Sequence, residues 1–190
     1  KQELSTTGPS TIDREVEIAK DFFTRLRVNL SSIDQKGPLN QLLKFENGTL
    51  DEAVSLSSAN FIKVLFPRLP IDEVKVISPR LDTAPVWALV SPEETVEAKV
   101  SMQDIAKHKF STYPLKKVSQ AFEELKNGKA AFNKEIDGTV FPVREVEIVY
   151  LEGENYQPYL QPVYLFKSDN NLAAYVPAVD EDWISESGTD

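Results

Sequence analysis

The side chains that perform most enzyme chemistry are scarce in this chain, and those present are poorly spaced for it. His108 is the only histidine among 190 residues, and there is no cysteine. A disulfide framework, a Cys-rich zinc site, a Cys–His dyad and a multi-His metal centre are therefore excluded. His108 sits between Lys107 and Lys109, cations that disfavour a protonated ring, and no Ser or Asp neighbours it at a spacing that suggests a general base. No Gly-x-Ser-x-Gly occurs, and Ser119 with Lys116, the composition of a Ser–Lys pair, is equally explained by a solvated helix face. Glu123 with Glu124, and Glu145 with Glu147, read as the wet faces of a helix and a strand rather than a glycosidase pair. Asp180, Glu181 and Asp182 lack the spacing of a calcium loop and read as an acidic tail. The 7 glycines are spread singly, so no phosphate-cradling loop exists. No catalytic residue, cofactor or metal site is expected.

The elements that would have to position any site follow from composition and patterning. A hydrophobic share of 41% with 27% charged residues is ordinary for a globular chain. The balance of 21 Lys+Arg against 30 Asp+Glu, a net charge of -9, argues against nucleic acid and anionic membrane surfaces, which need a basic face. No apolar run approaches the roughly 18–20 residues that span a bilayer. The start, Lys1-Gln2-Glu3-Leu4-Ser5, is neither a signal peptide nor an initiating Met segment, and the chain reads as a trimmed piece of a longer protein.

Residues 1–10 read as a linker or frayed tail. A first helix is predicted from a Ser10–Asp13 capping box, through Ile12, Val16, Ala19, Phe23 and Leu26, to about Val28. Strands are predicted at Leu39–Glu46, Ser58–Phe66, Glu73–Ile77, Ala84–Val90 and Thr95–Val100, with Asn47-Gly48 as a hairpin turn and prolines at the strand ends. A second helix starts at Thr112-Tyr113-Pro114, repeats through Leu115, Val118, Phe122 and Leu125, and caps at Asn127-Gly128. Arg144–Leu151 alternates, with Val146, Ile148 and Tyr150 on one face and a solvated glutamate face opposite. Tyr159–Phe166 and Leu172–Val179, joined by a turn at Ser168–Asn171, are apolar enough to be covered on both faces.

Ala84-Pro85-Val86-Trp87-Ala88-Leu89 echoes Gln161-Pro162-Val163-Tyr164-Leu165-Phe166, each preceded by an alternating strand (Val74–Ile77, Val146–Val149), although the two offsets disagree. The expected fold is α+β: two helices packed on mostly antiparallel sheets, in sub-domains 11–110 and 111–184 that stand as candidate duplicates, with 185–190 a tail.

The set formed by Tyr113-Pro114-Leu115, Ala121 through Lys129, Val149-Tyr150, Tyr159 through Tyr164 and Ala174 through Val179 resembles the C-terminal unit of bacterial membrane-anchored extracytoplasmic proteins. More distantly it is similar to PepSY-like and YycI-like regulatory ectodomains. The resemblance covers roughly the last third of the chain and departs from the YycI-like pattern where Pro177-Ala178-Val179 runs into Asp180. It implies a helix across a small antiparallel sheet, an extracytoplasmic location with membrane contact only through an anchor upstream of Lys1, and binding or regulation of another envelope protein rather than catalysis. A structural part of a self-associating surface assembly is the alternative. Tyr156, Tyr159, Tyr164, Tyr175 and Trp183 are the candidate partner-facing residues, since Tyr and Trp combine contact area with a polar handle. Strand tyrosines serve core packing equally well.

Overall fold

The computed structural model describes residues 8, 11–106, 108–136, 140–153, 155–180 and 183. In chain order its elements are α1 (Ile12–Arg25), β1 (Leu39–Glu46), β2 (Thr49–Glu52), β3 (Phe61–Phe66), β4 (Val76–Ile77), β5 (Val86–Val90), β6 (Thr95–Val100), α2 (Val118–Lys126), β7 (Ala131–Phe132), β8 (Glu145–Leu151), β9 (Pro162–Lys167) and β10 (Ala173–Pro177). Two helices and two mostly antiparallel sheets make this an α+β protein, as the patterning predicts. The chain forms two units. Unit 1 runs to Leu69 and resumes over Thr83–Met102, whereas unit 2 takes Pro70–Asp82 and the chain from Gln103 onward. The expected single boundary near residue 110 is replaced by this interleaving, because Pro70–Asp82 packs with the later strands.

In unit 1, Thr11 Oγ1 accepts the Arg14 backbone N–H (3.3 Å) and caps α1. Ser10, the expected cap, lies outside the described residues. The helix ends at Arg25, short of Val28, because Arg27 turns left-handed (φ 57°) and Val28 N–H returns to the Phe23 carbonyl at 3.0 Å. Val16, Ala19 and Phe23 recur at three and four residues and bury one stripe on Ile62, Val64, Phe66, Val86, Ala88 and Val90. The Phe23 ring meets Phe66 edge-on at 6.0 Å. The sheet order is β2-β1-β3-β5-β6, antiparallel throughout, and Asn47 and Gly48 (φ 52° and 86°) supply the turn that the β1–β2 hairpin needs. Burying each large side chain contributes about 1.5–3 kcal/mol, against about 0–1 kcal/mol for an exposed ion pair, so the apolar clusters hold the fold.

Unit 2 orders its strands β4-β8-β9-β10-β7, with β4 parallel to β8 and the other pairs antiparallel. α2 begins at Val118, later than its apolar repeat predicts. Leu115 is instead bridged to Val179, and Lys116 N–H bonds the Ala178 carbonyl at 2.9 Å. Its end is as expected, with Gly128 left-handed (φ 73°). β9 and β10 are buried on both faces. Tyr164, Phe166, Ala174 and Val176 pack under α2 with Ala121 and Leu125. Val149, Val163, Leu165, Ala173 and Tyr175 pack on the opposite face beneath Ile77 and Leu81. Asn170 and Asn171 (both φ 56°) turn the β9–β10 hairpin, using the tolerance of Asn for this conformation. The segment Val74–Ile77 is no counterpart of Val146–Val149: Val76 is paired beside Tyr150 within the same sheet.

One residue of the unit 1 core breaks the patterning. Glu15 is fully buried on α1, and neither carboxylate oxygen has a hydrogen-bond partner among the described residues. Thr95 Oγ1, on the strand that flanks Val90, is likewise buried without one. A buried polar group left unpaired costs about 1–3 kcal/mol, more when charged. Glu15→Leu is expected to raise the unfolding free energy by about 1–3 kcal/mol, read as a higher urea midpoint at unchanged slope; a lower midpoint would show that Glu15 has a partner in solution.

Candidate functional site

The candidate partner-facing residues divide between surface and core. Tyr156 and Tyr159 are 83% and 76% exposed in the loop between β8 and β9, and Trp183 is 59% exposed, its ring 6.4 Å from that of Tyr113. Tyr164 and Tyr175 are core residues and not partner-facing, because both lie on central strands that are covered on both faces. Their hydroxyls are spent internally: Tyr164 donates to the Lys116 carbonyl and Tyr175 to the Pro79 carbonyl, each at 2.7 Å. Burial pushes the Tyr175 hydroxyl up to about 12.

The glutamates and the lysine singled out for latent chemistry are paired off. Lys116 Nζ, almost fully buried, is gripped by both oxygens of Glu124 (2.8 and 2.9 Å), so it is committed to an ion pair, while Ser119 lies exposed. Glu124 is thereby a structural anchor rather than part of a wet face, and Glu123 pairs with Lys126 at 2.6 Å. Glu147 is held between Lys75 (2.7 Å) and Lys167, which also reaches Glu145 (3.4 Å). Burial opposes ionisation of Glu147, but hydrogen bonds from Lys167 and Lys75 outweigh it and set the carboxyl below its ordinary range. Burial likewise works against the Lys167 ammonium, and Glu147 overcomes it, raising that group. His108 is exposed, and Lys107 beside it lies outside the described residues. Asp180 N–H donates to the Pro114 carbonyl (3.2 Å), and Glu181 and Asp182 also lie outside the described residues. Among the described residues no group of three or more His, Asp or Glu is placed to hold a metal ion.

Unit 2 also exposes apolar side chains. Val146 and Ile148 lie opposite Phe166 and Tyr164, on the sheet face that α2 occupies, yet each is 38% exposed. The alternation in β8 is as the sequence indicates, but its wetter face is reversed: Val149 and the partly buried Glu147 are the covered side. The cause is helix length and placement. A nine-residue helix is about 13 Å long, and strands are spaced about 4.8 Å apart. α2 packs chiefly on β10, two strands from β8, leaving the β8 row uncovered. Phe122, with its ring 6.1 Å from Phe166, and Val118 one turn earlier are exposed along the helix side of the same face. Leu115 and Tyr113 precede α2 and are also exposed. Sequence reasoning missed this surface because a helix register shows which residues are apolar, not which strand the helix will rest on.

Comparison with family models, curated proteins and solved structures gives no match.

The Glu147 cluster carries a pH signature. A carboxyl lowered by folding stabilises the folded state above its unfolded pKa, and that contribution is lost as pH falls through its folded value. Glu147→Gln should therefore be less stable than the parent near pH 7, and urea midpoints of the two should converge as the medium is acidified below the ordinary carboxylate range. A constant gap down to strongly acidic pH would show that the cluster is not ionic.

Proposed function

We propose that this chain is a non-enzymatic extracytoplasmic module that binds or regulates another cell-envelope protein, held at the membrane through a segment upstream of Lys1. The observation that carries the binding reading is the apolar face of unit 2, where Val118, Phe122, Val146 and Ile148 stand exposed on the side of the sheet that α2 occupies. Grouped apolar side chains at this exposure are the usual mark of an interaction surface, unlike single exposed residues such as Val54. The envelope location rests on the resemblance of the last third of the chain to PepSY-like and YycI-like ectodomains. Among the described residues no helix is long and apolar enough to cross a membrane.

The alternative reading, a structural component of a surface assembly, draws on unit 1. Its sheet ends on β6, whose Val96 and Val100 side chains are exposed, and an edge strand is the place where a further strand can add. Light scattering over a concentration series separates the two, since a scaffold self-associates and a regulator need not.

A photo-reactive phenylalanine analogue placed at Ile148 or Phe122 is expected to crosslink to one envelope protein, while the same group at Val54 does not. Adducts that are absent at all three positions, or equal at all three, would contradict the assignment of this face.

A further inference from the structure

The segment that completes unit 2 is borrowed from the middle of unit 1. Its two ends are pinned there. Phe66 and Val86 are direct partners in the β3–β5 ladder, and the carbonyls of the two following and preceding prolines are engaged: Pro67 accepts Asp34 N–H and Pro85 accepts Ser101 N–H, each at 2.8 Å. Leu69 N–H is also tied to the Ser32 carbonyl at 2.9 Å. Beyond Leu69 the chain makes a tight turn in which Ile71 and Val74 exchange backbone bonds (3.0 and 2.9 Å) across Asp72 and Glu73, both left-handed (φ 48° and 68°). It then lies along unit 2. Lys75 and Ile77 carbonyls accept the N–H groups of Tyr150 (2.8 Å) and Glu152 (2.9 Å), Lys75 Nζ reaches Glu147, and Pro79 accepts the buried Tyr175 hydroxyl. Ile77 and Leu81 cover Val149, Val163, Leu165, Ala173 and Tyr175.

The burial is one-sided. The buried cluster of unit 1, with everything packed against it, contains no residue from 70–82. One face of the unit 2 sheet, in contrast, has its apolar residues closed by Ile77, Leu81 and Leu151, and only Leu151 comes from outside the segment. The β4–β8 ladder itself is two residues long, too short to hold without help. The help is the tether: Phe66 and Val86, partners in the β3–β5 ladder, hold the two ends of the segment together as a closed loop with less freedom to lose than an open chain, and opening that ladder removes the restriction.

We propose that residues 70–82 are a tethered strap that makes the order of unit 2 conditional on the β3–β5 pairing of unit 1. Whatever loosens that ladder releases the strap and uncovers a second apolar face, around Val149, Leu165 and Tyr175. By linkage, a ligand that holds the strap down also tightens β3–β5.

Native-state hydrogen exchange on the full chain tests this, with the Tyr150 and Glu152 amides, which donate to the strap, as reporters. Leu81→Asp, which places a charge on the covered face, should accelerate both reporters at least tenfold and, by linkage, should also accelerate the β3 and β5 amides that exchange through opening of the ladder. Tyr175→Phe, which removes one hydrogen bond and little volume, should do the same by about fivefold, and carries the test if Leu81→Asp disrupts folding. Val64→Ala, a cavity in β3, should accelerate the β3 and β5 amides and the two reporters by similar factors. The proposal is overturned if Val64→Ala leaves Tyr150 and Glu152 unchanged while β3 and β5 exchange faster. It is also overturned if the two unit 2 variants leave the reporters unchanged, or accelerate the reporters while every β3 and β5 amide keeps its rate.

Discussion

A sheet with two apolar faces requires two covers, and the described residues of unit 2 form one helix. That mismatch shapes the chain. β9 and β10 alternate large apolar residues to both sides, so Val163 and Leu165 are as much in need of burial as Tyr164 and Phe166. α2 covers the second pair. The first is covered by Pro70–Asp82, whose Ile77 and Leu81 do the work a second helix does elsewhere, and whose Pro79 carbonyl accepts the Tyr175 hydroxyl inside the core. A chain that must deliver this segment and still close the β3–β5 ladder has to pass from unit 1 to unit 2 and return. The interleaved order of the two units follows from that single packing requirement.

Polar chemistry is subordinate to the same packing. Lys116, Glu124 and Glu147 lie where water is partly excluded, and each is neutralised by a close partner of opposite sign. A charge left unpaired at such depth is costly, so pairing is what allows these residues to sit there. Glu15 is the exception, and it lies in unit 1. With its buried ions paired, unit 2 presents to solvent an apolar row on β8 beside α2, which is the basis for reading it as a surface for protein contact.

Local features were legible in the sequence, and tertiary assignments were not. The apolar spacing of Val16, Ala19 and Phe23 gave α1, Asn47-Gly48 the first hairpin, Asn127-Gly128 the end of α2, and the unbroken apolar runs near Tyr164 and Val176 the two central strands. Each is decided by neighbours within a few residues. Leu115 fits the helical repeat of α2 but is claimed by a bridge to Val179, a partner remote in sequence. Val74–Ile77 alternates as a strand, yet nothing local reveals that its partner is Tyr150, a residue remote in sequence within the sheet of unit 2. The tyrosines show the same limit for the candidate site. Tyr156 and Tyr159, in a loop rich in Gly, Asn and Pro, are exposed, whereas Tyr164 and Tyr175 have the same residue type and are buried by the register of β9 and β10.

The most direct test of the central claim, that Pro70–Asp82 closes the second face of unit 2, is the ionisation of Tyr175. Burial beneath the strap sets its hydroxyl at about 12, whereas an uncovered tyrosine titrates near 10. Its ring-carbon chemical shift, followed against pH in the full chain labelled at tyrosine, should stay constant through pH 10 and move only as the fold is lost or the higher value is reached. A normal midpoint near 10 in the folded protein would mean that the segment does not cover this face.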